Sequence, residues 1–275
     1  MLGGNELVLA DCDVDAANMH ILLEPDFALS EEFHGGLLAE IDTDDCSACG
    51  ECMDICEFDA IIHAGNGNFI VNKFDCEGCG YCSHICPDSA IRLKPRLSGY
   101  VYLSTTRAGS RMAHAKLATG AENSGKLVAR VRKEARKIAE ESNRHLVLTD
   151  GSPGIGCPVI SSITGADYII IVTEPTVSGL HDMKRVFELV RQFNINSGCI
   201  INKCDLNHKV SGQIINYLRE NKIDLIASIP YDDSFTAAMT LTKTIIELGD
   251  SPISEIINNS WKKILDIINH QKANI

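Results

Sequence analysis

The feature that most constrains this chain is a duplicated run of cysteines. Cys46-Ser-Ala-Cys49-Gly-Glu-Cys52-Met-Asp-Ile-Cys56 has the spacing C-x2-C-x2-C-x3-C, and Cys76-Glu-Gly-Cys79-Gly-Tyr-Cys82-Ser-His-Ile-Cys86-Pro87 repeats it thirty residues later. The likeness continues into the tails, Asp59-Ala60-Ile61 against Ser89-Ala90-Ile91, so the stretch is an internal duplication. Three cysteines at i, i+3 and i+6 on a tight loop converge their thiolates on one face of a cubane. The fourth, placed before a turn, points at the other cluster. That crossover assigns Cys46, Cys49, Cys52 and Cys86 to one [4Fe-4S] centre and Cys76, Cys79, Cys82 and Cys56 to a second. Structural zinc needs only four cysteines in C-x2-C pairs and leaves the third and fourth positions of each run unexplained. Glu57 stands where a proline follows Cys86 in the second run; a turn residue is not a ligand, so the assignment holds. Small Gly50 and Gly80 leave room for the clusters, and Gly65-Asn66-Gly67-Asn68 reads as a hairpin turn between the halves.

Composition sets the context for that metal. A chain of 275 residues is long enough for one large domain or a large one with a smaller insert. With 45% apolar residues it can bury a substantial core. A net charge of -12 argues against nucleic acid as partner, because phosphate binding needs clustered Lys and Arg. The N-terminus shows no basic, apolar, small-residue export signal, and no apolar run approaches a bilayer-spanning length. Twelve cysteines in such a chain point to metal in a reducing cytoplasm rather than to disulfides.

Outside the cysteine stretch the chain alternates helix and strand signals. Leu127 to Glu141 is an amphipathic helix, and His145 to Thr149 a strand ending at Asp150. After Gly151-Ser-Pro-Gly-Ile-Gly156 comes a short helix, Cys157 to Ile163. Tyr168 to Val172 is a buried strand, Ser178 to Phe193 a helix, and Gly198 to Ile201 a strand. A helix over Gln213 to Glu220 and a last strand, Leu225 to Ile229, follow. This order predicts an α/β fold, a three-layer, mostly parallel sheet with sites at the carboxyl ends of its strands. Asp11, Asp150, Glu174 and Asn202 all fall at such ends. Asp150 after an apolar strand is a Walker B arrangement, a carboxylate that orients Mg2+ or its water. Asn202-Lys203-Cys204-Asp205 has the form N-K-x-D, whose amide and carboxylate can read a purine edge; alone it would be only a strand-end turn.

Taken together these pieces resemble the MinD/ParA-superfamily P-loop ATPases that carry an inserted ferredoxin domain. Asp11-x-Asp13-x4-Asn18 resembles that family's switch I, and Asp150 to Gly156 its Walker B and switch II. Thr173-Glu174-Pro175-Thr-x-Ser178-Gly179, Asn202-Lys203-x-Asp205 and Ile229-Pro230-Tyr231-Asp232 match its later turns, the last two on the adenine side. The resemblance implies ATP and Mg2+ as ligands, Asp11 and Asp150 supporting the metal, and Asp13 polarising the attacking water. Asn202, Asp205 and Pro230 would face the base. It implies a nucleotide-binding body over residues 1–38 and 98–275, with an α+β ferredoxin-like insert over 39–97. Dimers of that family close face to face on ATP, so a homodimer and a redox or cluster-accepting client protein are the expected partners. The alternative is a plain electron carrier on a degenerate scaffold. Chromosome or septum positioning is disfavoured by the acidic charge and by the insert.

In that family the Asp-x-Asp strand is the second, after a first strand, a K-G-G-x-G-K-T loop and a helix. Leu2-Gly3-Gly4-Asn5 resembles the end of that connection, so about 25–30 residues of the pattern are expected ahead of Met1, lost by truncation or by a misassigned start. Gly120-Ala-Glu-Asn-Ser-Gly125-Lys126-Leu127 matches G-x4-G-K but carries Leu127 where Ser or Thr must bind Mg2+. No clear strand is expected over Arg111 to Thr119, which leaves the segment a glycine-rich helix entry. Cys12, Cys199 and Cys204 read as small apolar residues, Cys157 as an interface residue, and His114 and His181 as surface or packing residues. Ile253, Ile256, Ile257, Trp261, Ile264, Leu265 and Ile268 form a helical apolar stripe expected to dock on the protein's own sheet.

Overall fold

The computed structural model describes residues 6–65, 67–121 and 124–273. β1 (Leu7–Asp11) and the short α1 (Met19–Leu23) lead into a long strand, β2 (Leu29–Ile41). The cysteine stretch follows, with α2 (Glu51–Asp54), the hairpin β3 (Ile61–His63) and β4 (Phe69–Val71), and α3 (Tyr81–Ile85). β5 (Ile91–Thr105) returns beside β2, and β6 (Arg111–Leu117) follows it. The rest alternates: α4 (Ser124–Glu141), β7 (Leu146–Asp150), α5 (Cys157–Ile163), β8 (Tyr168–Thr173), α6 (Val177–Gln192), β9 (Asn196–Asn202), α7 (His208–Glu220) and β10 (Asp224–Ile229). α8 (Ser234–Thr240), a 3-10 turn at Ile245–Leu248 and α9 (Pro252–Ala273) close the chain.

Two sheets carry this body. One has the order β2-β5-β6-β1-β7, the other β10-β9-β8. β6, β1 and β7 run parallel, as do β8, β9 and β10, while β2 and β5 extend the first sheet as an antiparallel ribbon. Parallel strands need helical crossovers, and α4 supplies the one between β6 and β7. Its Leu127, Val128, Val131, Ala135 and Ile138 recur at helical spacing and bury against Val8, Ala10, Ala113 and Ala115 of β1 and β6. Burial of that kind is worth about 1.5–3 kcal/mol for each large aliphatic side chain. A second core gathers Met183, Phe187 and Val190 of α6 with Cys199 and Ile201 of β9 and Ile214 and Leu218 of α7. Val159 and Ile163 of α5 pack into this second core, while its Cys157 abuts Gly125 of α4, where an added Cβ would lie 3.0 Å from the Cys157 Cβ. Ile253 of α9 buries with Ile229 and Ile245, so the C-terminal stripe covers β10.

Two expectations change. Arg111–Leu117 is a strand after all, with Met112, Ala113, His114 and Ala115 all buried in sequence. It is covered on both faces, so it shows no alternation, and its one buried polar residue is satisfied by Ser104 Oγ at 2.9 Å from His114 Nε2. α7 begins at His208 rather than near Gln213, because the Asn207 side chain accepts a hydrogen bond from the Val210 N–H at 3.2 Å and caps it there. The proposed Leu2–Asn5 connection and Asn66 of the hairpin turn lie outside the described residues.

Candidate cluster sites and strand-end carboxylates

Each cysteine run folds as a loop, a one-turn helix and a tight turn, and the duplication is visible in the backbone. Gly50 and Gly80 precede α2 and α3 with φ of 87° and 80°, a left-handed conformation that favours glycine. Backbone demand, beyond the room a cluster needs, therefore selects glycine there. The turns after Cys56 and Cys86 match as well: Asp59 N–H donates to the Cys56 carbonyl and Ser89 N–H to the Cys86 carbonyl, both at 3.2 Å. Glu57 thus permits the same turn as Pro87.

One cysteine of the first run stands among those of the second. Cys56, from the first run, lines one cavity with Cys76, Cys79 and Cys82 of the second, beside Ala60 and Val71. Burial pushes the Cys82 thiol up, and Cys76, Cys79 and Cys56 add to the shift. Burial likewise raises Cys52, with Cys46 and Cys49 as its charged neighbours. Thiols held in this way need a cation to become thiolates, and the iron of a bound cluster would supply it. Of the four other cysteines, Cys12 and Cys199 are fully buried and pushed up to about 12 by burial, as inert core residues are. Cys204 is partly buried and Cys157 exposed.

The carboxylates meet at the ends of β1 and β7. Asp11 and Asp150 are register partners, and the Cys12 N–H donates to the Asp150 carbonyl at 2.9 Å. Asp11 is 1% exposed. Its Oδ1 accepts the Asp13 N–H at 3.2 Å, but Oδ2 is buried with no hydrogen-bond partner. Burial, and then the charge of Asp150, raise Asp11 from 3.8 to about 6. Burial and Asp13 raise Asp150. A buried carboxylate oxygen without a donor, facing further carboxylates, is a hard-oxygen donor set that suits Mg2+.

A second polar group stands on the other sheet. Asn202 ends β9, and Lys203 pairs with Glu174 at 2.7 Å. Asp205 Oδ1 accepts the Tyr231 N–H at 2.7 Å, which ties the N-K-x-D turn to the turn after Pro230. Asp205 therefore spends one oxygen on the fold. Lys203 and Tyr231 join this group through contacts between distant turns, for which the sequence carried no signal beyond their neighbours. Among the described residues no hydrogen bond or ion pair joins the Asp11–Asp150 group to the Asn202–Asp205 group. His181 is exposed beside Asp182.

Comparison with known proteins agrees with this layout. A 4Fe-4S dicluster domain profile matches residues 39–93. The uncharacterized protein MJ0578 of Methanocaldococcus jannaschii is 34% identical over 263 residues, 95% of this chain and 87% of that protein. Its compatriot MJ0579 is 24% identical over 254 residues, 91% of this chain and 85% of that protein. Among solved structures, MinD of Pyrococcus horikoshii complexed with Mg-ADP aligns with a TM-score of 0.54 at 14% identity, covering 94% of this chain and 83% of that one. The cell division ATPase MinD of Pyrococcus furiosus gives 0.52 at 13% identity, covering 95% and 86%. No helix among the described residues is long and apolar enough to cross a membrane. The chain belongs to the family of MJ0578, and in it a 4Fe-4S dicluster domain is set into a body with the fold of the MinD/ParA ATPases.

Proposed function

We propose that this protein carries two [4Fe-4S] clusters for electron transfer or cluster delivery to a client protein, on a body that answers to Mg-ATP. The observation that carries the reading is the cavity in which Cys56 joins Cys76, Cys79 and Cys82. One ligand borrowed from the other run is what a paired-cluster site requires and a zinc site does not. Cys46, Cys49, Cys52 and Cys86 would hold the first cluster. When bound, the clusters supply one-electron chemistry; the chain's own part is to supply thiolates, set their surroundings and present them to the client. On the body, Asp11 and Asp150 would hold Mg2+ and Asp13 would orient the water that attacks ATP. Asn202, Asp205 and Pro230 would border the base. The unpartnered Asp11 Oδ2 favours this second element. By the resemblance to the MinD/ParA ATPases a homodimer would be the nucleotide-bound state, and the net charge of -12 favours a protein client over nucleic acid.

Anaerobic purification tests the reading. The protein should hold about eight iron and eight sulfide per chain, with broad absorption near roughly 400 nm that bleaches with dithionite. Cys56→Ser and Cys86→Ser should each damage the cluster of the opposite run. Zinc in place of iron, or one cluster's worth, would overturn it.

A further inference from the structure

The duplication offers an internal comparison, because two like ligand sets sit in unlike electrostatic surroundings. At the first loop, the carboxylate of Asp88 accepts both the Ser47 N–H, at 3.1 Å, and the Ser47 hydroxyl, next to ligand Cys46. Thirty residues back, the position of Asp88 in the repeat is Phe58, which carries no charge. At the second loop the guanidinium of Arg96 reaches in from β5. Its Nη1 donates to the carbonyl of ligand Cys76 at 3.0 Å and its Nη2 to the Gly120 carbonyl at 2.7 Å. The chain around each loop repeats the contrast. Asp42, Asp44, Asp45, Glu51 and Asp54 attend the first, where Arg92 from β5 pairs with Asp45 at 3.7 Å, whereas at the second Asn72 and Phe74 replace two of those acids and Lys73 stands with Arg96 against Asp75, Glu77 and the Glu57 and Asp59 that flank the turn after Cys56.

We propose that this asymmetry splits the two reduction potentials: the centre held by Cys56, Cys76, Cys79 and Cys82 is reduced first, raised by Arg96, while Asp88 and the acidic lead-in depress the centre held by Cys46, Cys49, Cys52 and Cys86. Each centre takes one electron, from the 2+ to the 1+ state, and no bond or proton changes place. The reduced state is the more negative one, so a neighbouring cation favours it and an anion opposes it. Amides act in the other direction at the first centre, with Ala48 N–H on Cys46 Sγ and Ala90 N–H on Cys86 Sγ, each at 3.4 Å. These are neutral dipoles, and formal charges at hydrogen-bond distance from the ligand loops are the stronger perturbation. Arg96 also fixes where the higher-potential centre sits. By holding Cys76 and Gly120 together it sets that centre against the body, just before α4.

This inference rests on the two-cluster reading, and one experiment separates them. Full-length, anaerobically purified protein is titrated with dithionite and redox mediators while EPR follows reduction. Two one-electron steps are expected. Arg96→Gln should move the upper step to lower potential and leave the lower step in place, and Arg96→Lys, which keeps the charge, should restore most of the shift. Asp88→Asn should raise the lower step alone. Protein without iron, or with zinc, would sink the two-cluster reading itself. Full iron content with a single wild-type step, with both steps unmoved in the variants, or with Arg96→Gln acting on the lower step would overturn the asymmetry. Should Arg96→Gln fail to retain iron, Asp88→Asn decides in the same titration, and an unmoved lower step there is fatal to the proposal.

Discussion

Asp11 and His114 are two buried titratable residues with opposite effects on stability. Burial and Asp150 raise Asp11 from 3.8 to about 6, so the folded chain binds its proton more tightly than the unfolded chain does. Folding stability then falls as pH rises through that window, and the full cost stands above pH 6. The shift corresponds to about 3 kcal/mol. His114 behaves inversely. Burial, with a smaller push from His20, lowers it from 6.5 to about 4. Its ring lies 5.1 Å from Phe27 and 5.2 Å from Tyr102 and is buried. The unfolded chain takes that proton first, so this contribution is complete above pH 6.5 and is lost as pH falls towards 4. Between about pH 4 and 6 the two slopes offset each other. Urea unfolding of the metal-free protein against pH should show it. Asp11→Asn should gain up to about 3 kcal/mol over wild type at pH 7.5 and nothing at pH 3.5. His114→Gln should differ from wild type by an amount that shrinks below pH 6. Added Mg2+ should stabilise wild type and leave Asp11→Asn unmoved. A difference between wild type and Asp11→Asn that stays constant with pH would show that Asp11 titrates normally.

At the scale of elements, the repeat explains its own departures. Ala48 and Gly78 hold equivalent positions with φ of 59° and 65°. Alanine is tolerated at the first, but at Gly78 an added Cβ would lie 2.1 Å from the Leu37 carbonyl oxygen of β2. The ribbon that carries the insert therefore touches the second loop and selects glycine there. Gly78→Ala should displace that loop and reduce bound iron from about eight to about four per chain, whereas Ala48→Gly should keep all of it. Full iron in Gly78→Ala would mean that the loop is not held by β2. The same contact shows what could be read from the chain alone. Ligand spacing is local covalent geometry, so the cysteine loops were legible, and so were α4, α5 and α6, whose apolar positions follow a helical period. The ribbon was not. Leu29, Leu37, Leu93 and Leu97 stay exposed on it, and its register shifts at Phe33, His34 and Gly36, so neither strand shows clean alternation. β6 was hidden for the opposite reason, being buried on both faces. The polar ties between Lys203 and Glu174 and between Asp205 and Tyr231 join turns far apart in the chain, and only tertiary structure brings them together.

At the scale of the whole molecule, the body is built on two separate sheets. β7 ends one sheet and β8 ends the other. Their free edges leave Val147 at 38%, Leu148 at 39% and Val172 at 62% exposed, high values for apolar residues in parallel strands. Within the chain as it stands, the one segment with G-x4-G-K spacing is Gly120 to Lys126, and its surroundings argue against a phosphate cradle. Leu127 is fully buried in the core beneath β6, Gly125 is pressed on Cys157, and the Gly120 carbonyl is held by Arg96 on the cluster side. A cradle needs several backbone N–H groups converging beside Asp11 and Asp150. In an isothermal titration of this 275-residue chain with Mg-ATP, Lys126→Ala should therefore leave the binding unchanged. Micromolar binding that Lys126→Ala abolishes would make Gly120 to Lys126 the phosphate loop, tied through the two hydrogen bonds of Arg96 to the loop of Cys76.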